Sequence, residues 1–234
     1  MKKIFGVIIL FLIFTSVTFA QRRGKQQQFF NLGVKAVVNG SWIGNLPTSS
    51  SQIQASSESI KIGYVAGLWG RINLIQGLFI QPELTISQTG GKYSYQFNPG
   101  IGNPINYTKN ITLTNLEFPL SIGYTLPLGD DLGLRINGGG LIGTILNAKQ
   151  QYETGIISSE QQDIRNQVNT LQAALQGGIG LDFLERWSVD VRIQQNLTSL
   201  YEGYTPGQSI DALKIDQKEQ RVISLQLIVG FKIL

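Results

Sequence analysis

From Phe30 onward the chain alternates apolar and polar side chains with a period of two, and it does so in eight separate stretches. Over residues 60–73, Ile60, Ile62, Tyr64, Ala66, Leu68 and Ile72 fall on one face and Lys61, Gly63, Gly67, Trp69, Arg71 and Asn73 on the other. A strand sends successive side chains to opposite sides, so this spacing predicts strands with one apolar and one polar face. Leu78, Ile80, Leu84 and Ile86 oppose Gln81, Glu83, Thr85 and Ser87 in the same way. Leu116, Phe118, Leu120, Ile122, Tyr124 and Leu126 oppose Glu117, Ser121, Gly123 and Thr125. The pattern returns at 132–142, 171–183, 187–194 and 223–233, and residues 30–38 supply the remaining strand.

The connections alternate too. Those near residues 74–77, 127–131 and 185–186 are short, whereas 42–59, 89–110, 149–168 and 198–220 are long and polar. Short turns at one rim and long loops at the other are the arrangement of an outer-membrane barrel whose turns are periplasmic. The expected fold is therefore all-β: an eight-stranded antiparallel up-and-down transmembrane barrel with four long extracellular loops and three short periplasmic turns. Phe30, Tyr124, Phe183, Trp187 and Phe231 fall at the short-turn ends, where an interfacial girdle is expected.

The same alternation fits a soluble barrel with its apolar face around a ligand, and Gly40-Ser41-Trp42 matches the tripeptide that opens the first lipocalin strand. Bulk argues for lipid outside. An eight-stranded barrel has an interior just wide enough for side chains, and the apolar face is an almost unbroken series of Leu, Ile, Val and Phe. The polar face, richer in Gly, Ser and Thr, has the volume a narrow lumen needs. That face carries Lys35, Lys61, Arg71, Arg135, Arg192 and Lys232 against Glu83, Glu117, Asp182 and Asp190. Buried charges persist when paired, so a lumen ion network that plugs the barrel is expected, with a charged conduction path as the alternative.

Composition narrows the choices. Charged residues are 15% of the chain, against roughly 25% in soluble domains, while the hydrophobic share is 42%. Strands apolar on one side only would give that balance. Lys2 and Lys3, the apolar run 4–14 and Thr18-Phe19-Ala20 read as a signal peptide over residues 1–20, cut before Gln21. Residues 21–28 then form a short periplasmic segment and 29–234 the barrel domain. Loss of the two lysines lowers the formal charge from +4 to +2, and no nucleic-acid partner is implied. There is no cysteine and no histidine, which removes disulfides, thiolate metal sites and the usual general base. No cofactor or metal site is expected.

Gln81-Pro82-Glu83-Leu84-Thr85-Ile86-Ser87 with Gly90, Leu116-Glu117-Phe118-Pro119-Leu120, Asn137-Gly138-Gly139-Gly140, Asp190-Val191-Arg192 followed by Asn196-Leu197-Thr198, and Gly230-Phe231-Lys232 occur in this order. Together they resemble the PorT-like outer-membrane β-barrel proteins of the Bacteroidetes. The resemblance covers nearly the whole mature chain and departs from many outer-membrane barrels at Leu234, where a terminal aromatic is common. It implies an outer-membrane address in a Gram-negative cell, and one family member is linked to secretion and gliding machinery.

Lipid A acylases, lipid A deacylases and proteases built on small barrels resemble one another in needing a histidine, so none of them fits. Glu83 and Glu117 could be set against each other as a glycosidase pair, but acidic residues alternating with apolar ones in such a barrel need internal pairing, so lumen salt-bridge partners are the favoured reading. Gly138-Gly139-Gly140 lies mid-strand with no Lys-Ser/Thr after it and is no phosphate loop. Function is then expected in the loops or the periplasmic rim. Tyr93, Tyr95, Phe97 and Tyr107 offer a loop surface for protein or glycan, or belong to an upper girdle. A short helix is expected within 160–175. The expected role is a non-enzymatic structural or interaction barrel with lipid and envelope proteins as partners. The alternatives are a narrow pore or transport barrel for small or hydrophobic solutes, and a soluble lipocalin-like barrel.

Overall fold

A computed structural model describes residues 28–44, 53–75, 77–97, 103–129, 131–154, 157–201 and 220–234. The expected signal peptide lies outside the described residues. The strands are β1 (Phe30–Ile43), β2 (Ile53–Ser59), β3 (Lys61–Asn73), β4 (Leu78–Phe97), β5 (Ile105–Pro127) and β6 (Leu132–Thr154). They continue with β7 (Ile157–Ser158), β8 (Gln162–Asp163), β9 (Leu171–Phe183), β10 (Trp187–Asn196) and β11 (Val222–Lys232).

Eight of these close a ring. Each is antiparallel to its neighbours in the order β1, β3, β4, β5, β6, β9, β10, β11, and β11 pairs back onto β1 from Gly33↔Lys232 to Ile43↔Val222. Closure satisfies the backbone groups that an open edge would leave unpaired in hydrocarbon. The short β2 extends the β3 side of the wall along β4.

The period-two pattern is realised with the apolar side outward. On β11, Leu225, Leu227 and Val229 are exposed while Ser224, Gln226 and Ile228 are buried. Ile136, Ile142, Leu120 and Ile122 are exposed on other strands, and Arg135, Glu117 and Ser121 are buried beside them. An enclosed apolar cavity of the lipocalin kind is excluded, because the large aliphatic residues form the outer belt. The girdle is present at the short-turn rim, where Trp187 meets Phe231 edge-on with ring centroids 5.0 Å apart.

Two expectations about loops are corrected. Residues 89–97 and 105–110 are strand, so the hairpin of β4 and β5 rises well past the belt, pairing out to Phe97↔Ile105. The segment 160–175 holds the two-residue β8 and a single 3-10 turn, Arg165–Gln167, in place of the expected helix before β9 begins at Leu171. The first and fourth connections, near 45–52 and 202–219, lie outside the described residues.

Candidate functional site

The lumen is filled in tiers, and alternation decides which residues reach it. At the periplasmic end Trp69 and Phe79 point inward, each over a glycine of the adjacent strand. A Cβ on Gly33 would come 2.3 Å from the Trp69 ring, and one on Gly123 would come 2.4 Å from Phe79. Glycine is required wherever a ring lies that close to backbone. The Trp69 indole N–H donates to the Val34 carbonyl at 3.1 Å. The Arg71 guanidinium stacks between the rings, 5.1 Å from the Trp69 centroid and 4.9 Å from that of Phe79.

Above the rings an ion network crosses the barrel. Arg71 on β3 pairs with Asp182 on β9, the strand directly opposite in the ring, at 2.9 Å. Arg135 joins Asp182 at 3.1 Å and Asp190 at 2.9 Å. Arg192 on β10 donates two hydrogen bonds of 3.0 Å to both oxygens of Glu83 on β4, again from the opposite wall. Lys35 also pairs with Glu83. Gln81 links the halves, accepting from Arg71 Nε at 3.0 Å and donating to Glu83 at 2.6 Å. Glu83, Lys35, Arg135 and Arg192 have almost no exposed side-chain surface. Charges so deeply buried are tolerable only with this density of partners.

Three residues expected in the network lie apart from it. Glu117 is buried yet accepts from hydroxyls, Ser87 Oγ at 2.7 Å and Thr85 Oγ1 at 3.5 Å. Lys232 is half-buried at the β11 terminus and forms no ion pair among the described residues. Lys61 is a correction, because its ammonium reaches Asn110 Oδ1 and Thr112 Oγ1, each at 2.6 Å, on the outer wall. Between Ser59↔Lys92 and Val65↔Ser87 the β2/β3 side has one residue more than β4. Along β3 the alternation is unbroken and Lys61 stays in step with Gly63 and Val65, but the offset against β4 lets its chain run over Gly90, which has no side chain to block it, to Asn110 and Thr112.

A neutral tier follows, held by Asn115 with Ser87 and Thr89, each at 3.1 Å, and by Gln226 with Gln194 at 3.0 Å. The extracellular end is apolar. Ile43, Tyr93, Tyr95, Ile111, Leu113, Ile145 and Ala148 project inward from the walls, and Ile164, Val168, Leu200 and Tyr201 close over them from the loops. Tyr93 and Tyr95, expected as loop contacts, are 2% exposed and belong to this cap. Tyr107 packs against it, stacked on Tyr95 with centroids 5.1 Å apart. Phe97 ends β4, and its side chain lies outside the described residues. Continued alternation at Tyr93, Tyr95 and then Ile111, Leu113 was the signal that could have found the cap.

The profile of a family described as outer membrane protein β-barrel domain matches residues 19–202. Among solved structures, the attachment invasion locus protein Ail of Yersinia pestis is 10% identical, over 86% of this chain and 97% of that one, with a TM-score of 0.37. Neisserial surface protein A is 10% identical over 88% and 99%, with a TM-score of 0.37. OprG of Pseudomonas aeruginosa is 12% identical over 87% and 94%, with a TM-score of 0.40. A search of curated proteins returns no match.

Proposed function

The chain belongs to the outer membrane protein β-barrel domain family and resides in a bacterial outer membrane, and from that premise we propose that it acts as a closed, non-enzymatic interaction barrel. In this reading it is a scaffold or surface contact, accessory to an envelope assembly of the secretion or motility kind, in the PorT-like branch of its family. The carrying observation is double closure: the Glu83–Arg192 and Arg71–Asp182 pairs span the lumen below, and the apolar cap fills its mouth above. A barrel so filled leaves its loops and rims as the surfaces that can act. Aqueous channels belong to wider barrels.

Planar-bilayer recording tests the closed lumen. The purified protein is expected to give no reproducible current steps; steps whose size changes in Arg71→Gln or Arg135→Gln would overturn it. Affinity purification from the native envelope tests the accessory role. Co-purification of secretion or motility components supports it, and recovery of the barrel alone after mild crosslinking contradicts it. A second reading, passage of hydrophobic solutes, draws on the apolar lining of the mouth. It predicts solute uptake by vesicles carrying the protein, where the closed barrel predicts none.

A further inference from the structure

The outer wall just above the lipid belt carries a basic groove that the closed lumen does not use. Lys61 runs across the outer face of β4 at Gly90, where an added Cβ would lie 3.1 Å from Lys61 Cδ. Its ammonium then meets Asn110 and Thr112 of β5. Thr112 lies between Ile111 and Leu113, both enclosed in the apolar cap, so it faces outward. Lys92 of β4 and Lys149 of β6 line the same groove, a space of about 530 Å³ whose lower lip is Ile60 and Ile62.

The groove is built at the border of the belt. On β4 the outward positions pass from Leu84 and Ile86 to Gln88 and Lys92, and on β6 from Ile142 and Leu146 to Asn147 and Lys149. Ile60 and Ile62 are 62% and 68% exposed, an apolar ledge continuous with that belt. Among the described residues none of the three lysines forms an ion pair. Two carboxylates border the groove: Asp163 of β8 is the cross-strand partner of Lys149, and Glu153 lies four residues beyond Lys149 on β6. Lys61 has two of its three N–H donors on neutral oxygens and one to spare. The three ammonium groups outnumber the two carboxylates at the edge, so the groove keeps a net positive charge, and ammonium groups bind phosphate well as point charges.

We propose that Lys61, Lys92 and Lys149 form a site for the phosphorylated headgroup of an outer-leaflet lipid, whose acyl chains descend over Ile60 and Ile62. Charge and greasy ledge are then matched by one amphiphile, which a free anion would satisfy only in part. Basic pockets at a membrane face recognise headgroups by the same combination.

Native mass spectrometry of the intact protein in detergent tests the site, with lipid A bearing two phosphates as the probe. One retained molecule per barrel is expected, with at least tenfold weaker retention of the same lipid stripped of its phosphates. Lys92→Gln/Lys149→Gln should weaken binding about as much while leaving the Lys61 hydrogen bonds in place, and Lys92→Arg/Lys149→Arg should restore it. Heat-modifiable gel migration checks that each variant is folded. Equal retention of phosphorylated and stripped lipid, or no change in the glutamine variant, overturns the proposal. Displacement of the lipid by inorganic phosphate at equal concentration would also overturn it, since the site would then be one for free anions.

Discussion

Arg192 and Glu83 face each other from opposite walls and join through two parallel hydrogen bonds of 3.0 Å, with Lys35 on the same carboxylate. Removing the carboxylate strands two buried cations. Glu83→Leu is therefore expected to destabilise the barrel by roughly 3–5 kcal/mol, the usual cost of breaking a buried pair. Replacing all three partners together, Lys35→Met/Glu83→Leu/Arg192→Met, should recover most of that loss. Urea unfolding in detergent checks both, and a triple variant weaker than the single would contradict the ion-pair explanation.

Trp69 lies on Gly33 so closely that a methyl group there would meet both the ring and the Phe231 carbonyl. Gly33→Ala should cost about 1–3 kcal/mol, the range for forcing atoms into a filled interior. Gly33→Ala combined with Trp69→Leu should cost less than the two changes added. Strict additivity in a double-mutant cycle would mean the ring and the glycine do not touch.

Leu227 is 53% exposed and Gln226 is 3% exposed, one residue apart. Leu227→Arg should cost roughly 2–4 kcal/mol by setting a charge in the hydrocarbon midplane. Gln226→Leu loses the bond to Gln194 and should cost about 1 kcal/mol. Reversed costs in vesicle-based unfolding would mean the faces are assigned the wrong way round.

The turn from β9 to β10 holds Leu184 at φ +52°, a conformation in which a side chain crowds the backbone. Leu184 is 69% exposed at the rim, so little packing is lost on its removal. Leu184→Gly should raise stability by about 0.5–1 kcal/mol. Faster refolding or a higher denaturation midpoint checks this, and a loss of stability would point to a packing role for the side chain.

The alternation made strand number, face and the short rim legible, because lipid outside and a narrow lumen inside each act on every second residue. It also carried the identity of the pairing charges, Lys35, Arg71, Glu83, Arg135, Asp182, Asp190 and Arg192. It did not show which charge meets which, since partners such as Arg71 and Asp182 stand on opposite walls and far apart in sequence. Lys61 keeps its phase along β3, but one added residue beside β4 and the bare surface of Gly90 let its ammonium reach the outer wall, and nothing in the local composition marks that. Tyr93 and Tyr95 read as loop in the sequence because polar neighbours above the belt lower the outward hydrophobicity that signals a membrane strand. Their inward faces pack against apolar loop residues instead. Leu200 and Tyr201 reach the cap through long-range contacts that no short window contains.

Apolar faces touch acyl chains while ionic faces are enclosed, and because the chain has no cysteine of its own that division can be read directly. Nitroxide labels placed one at a time on cysteines introduced at residues 223–229, with the protein in lipid vesicles, would report collision with dissolved oxygen. High accessibility at 225, 227 and 229, alternating with low values at 224, 226 and 228, is the predicted result. A flat profile, or maxima at the even positions, would contradict it.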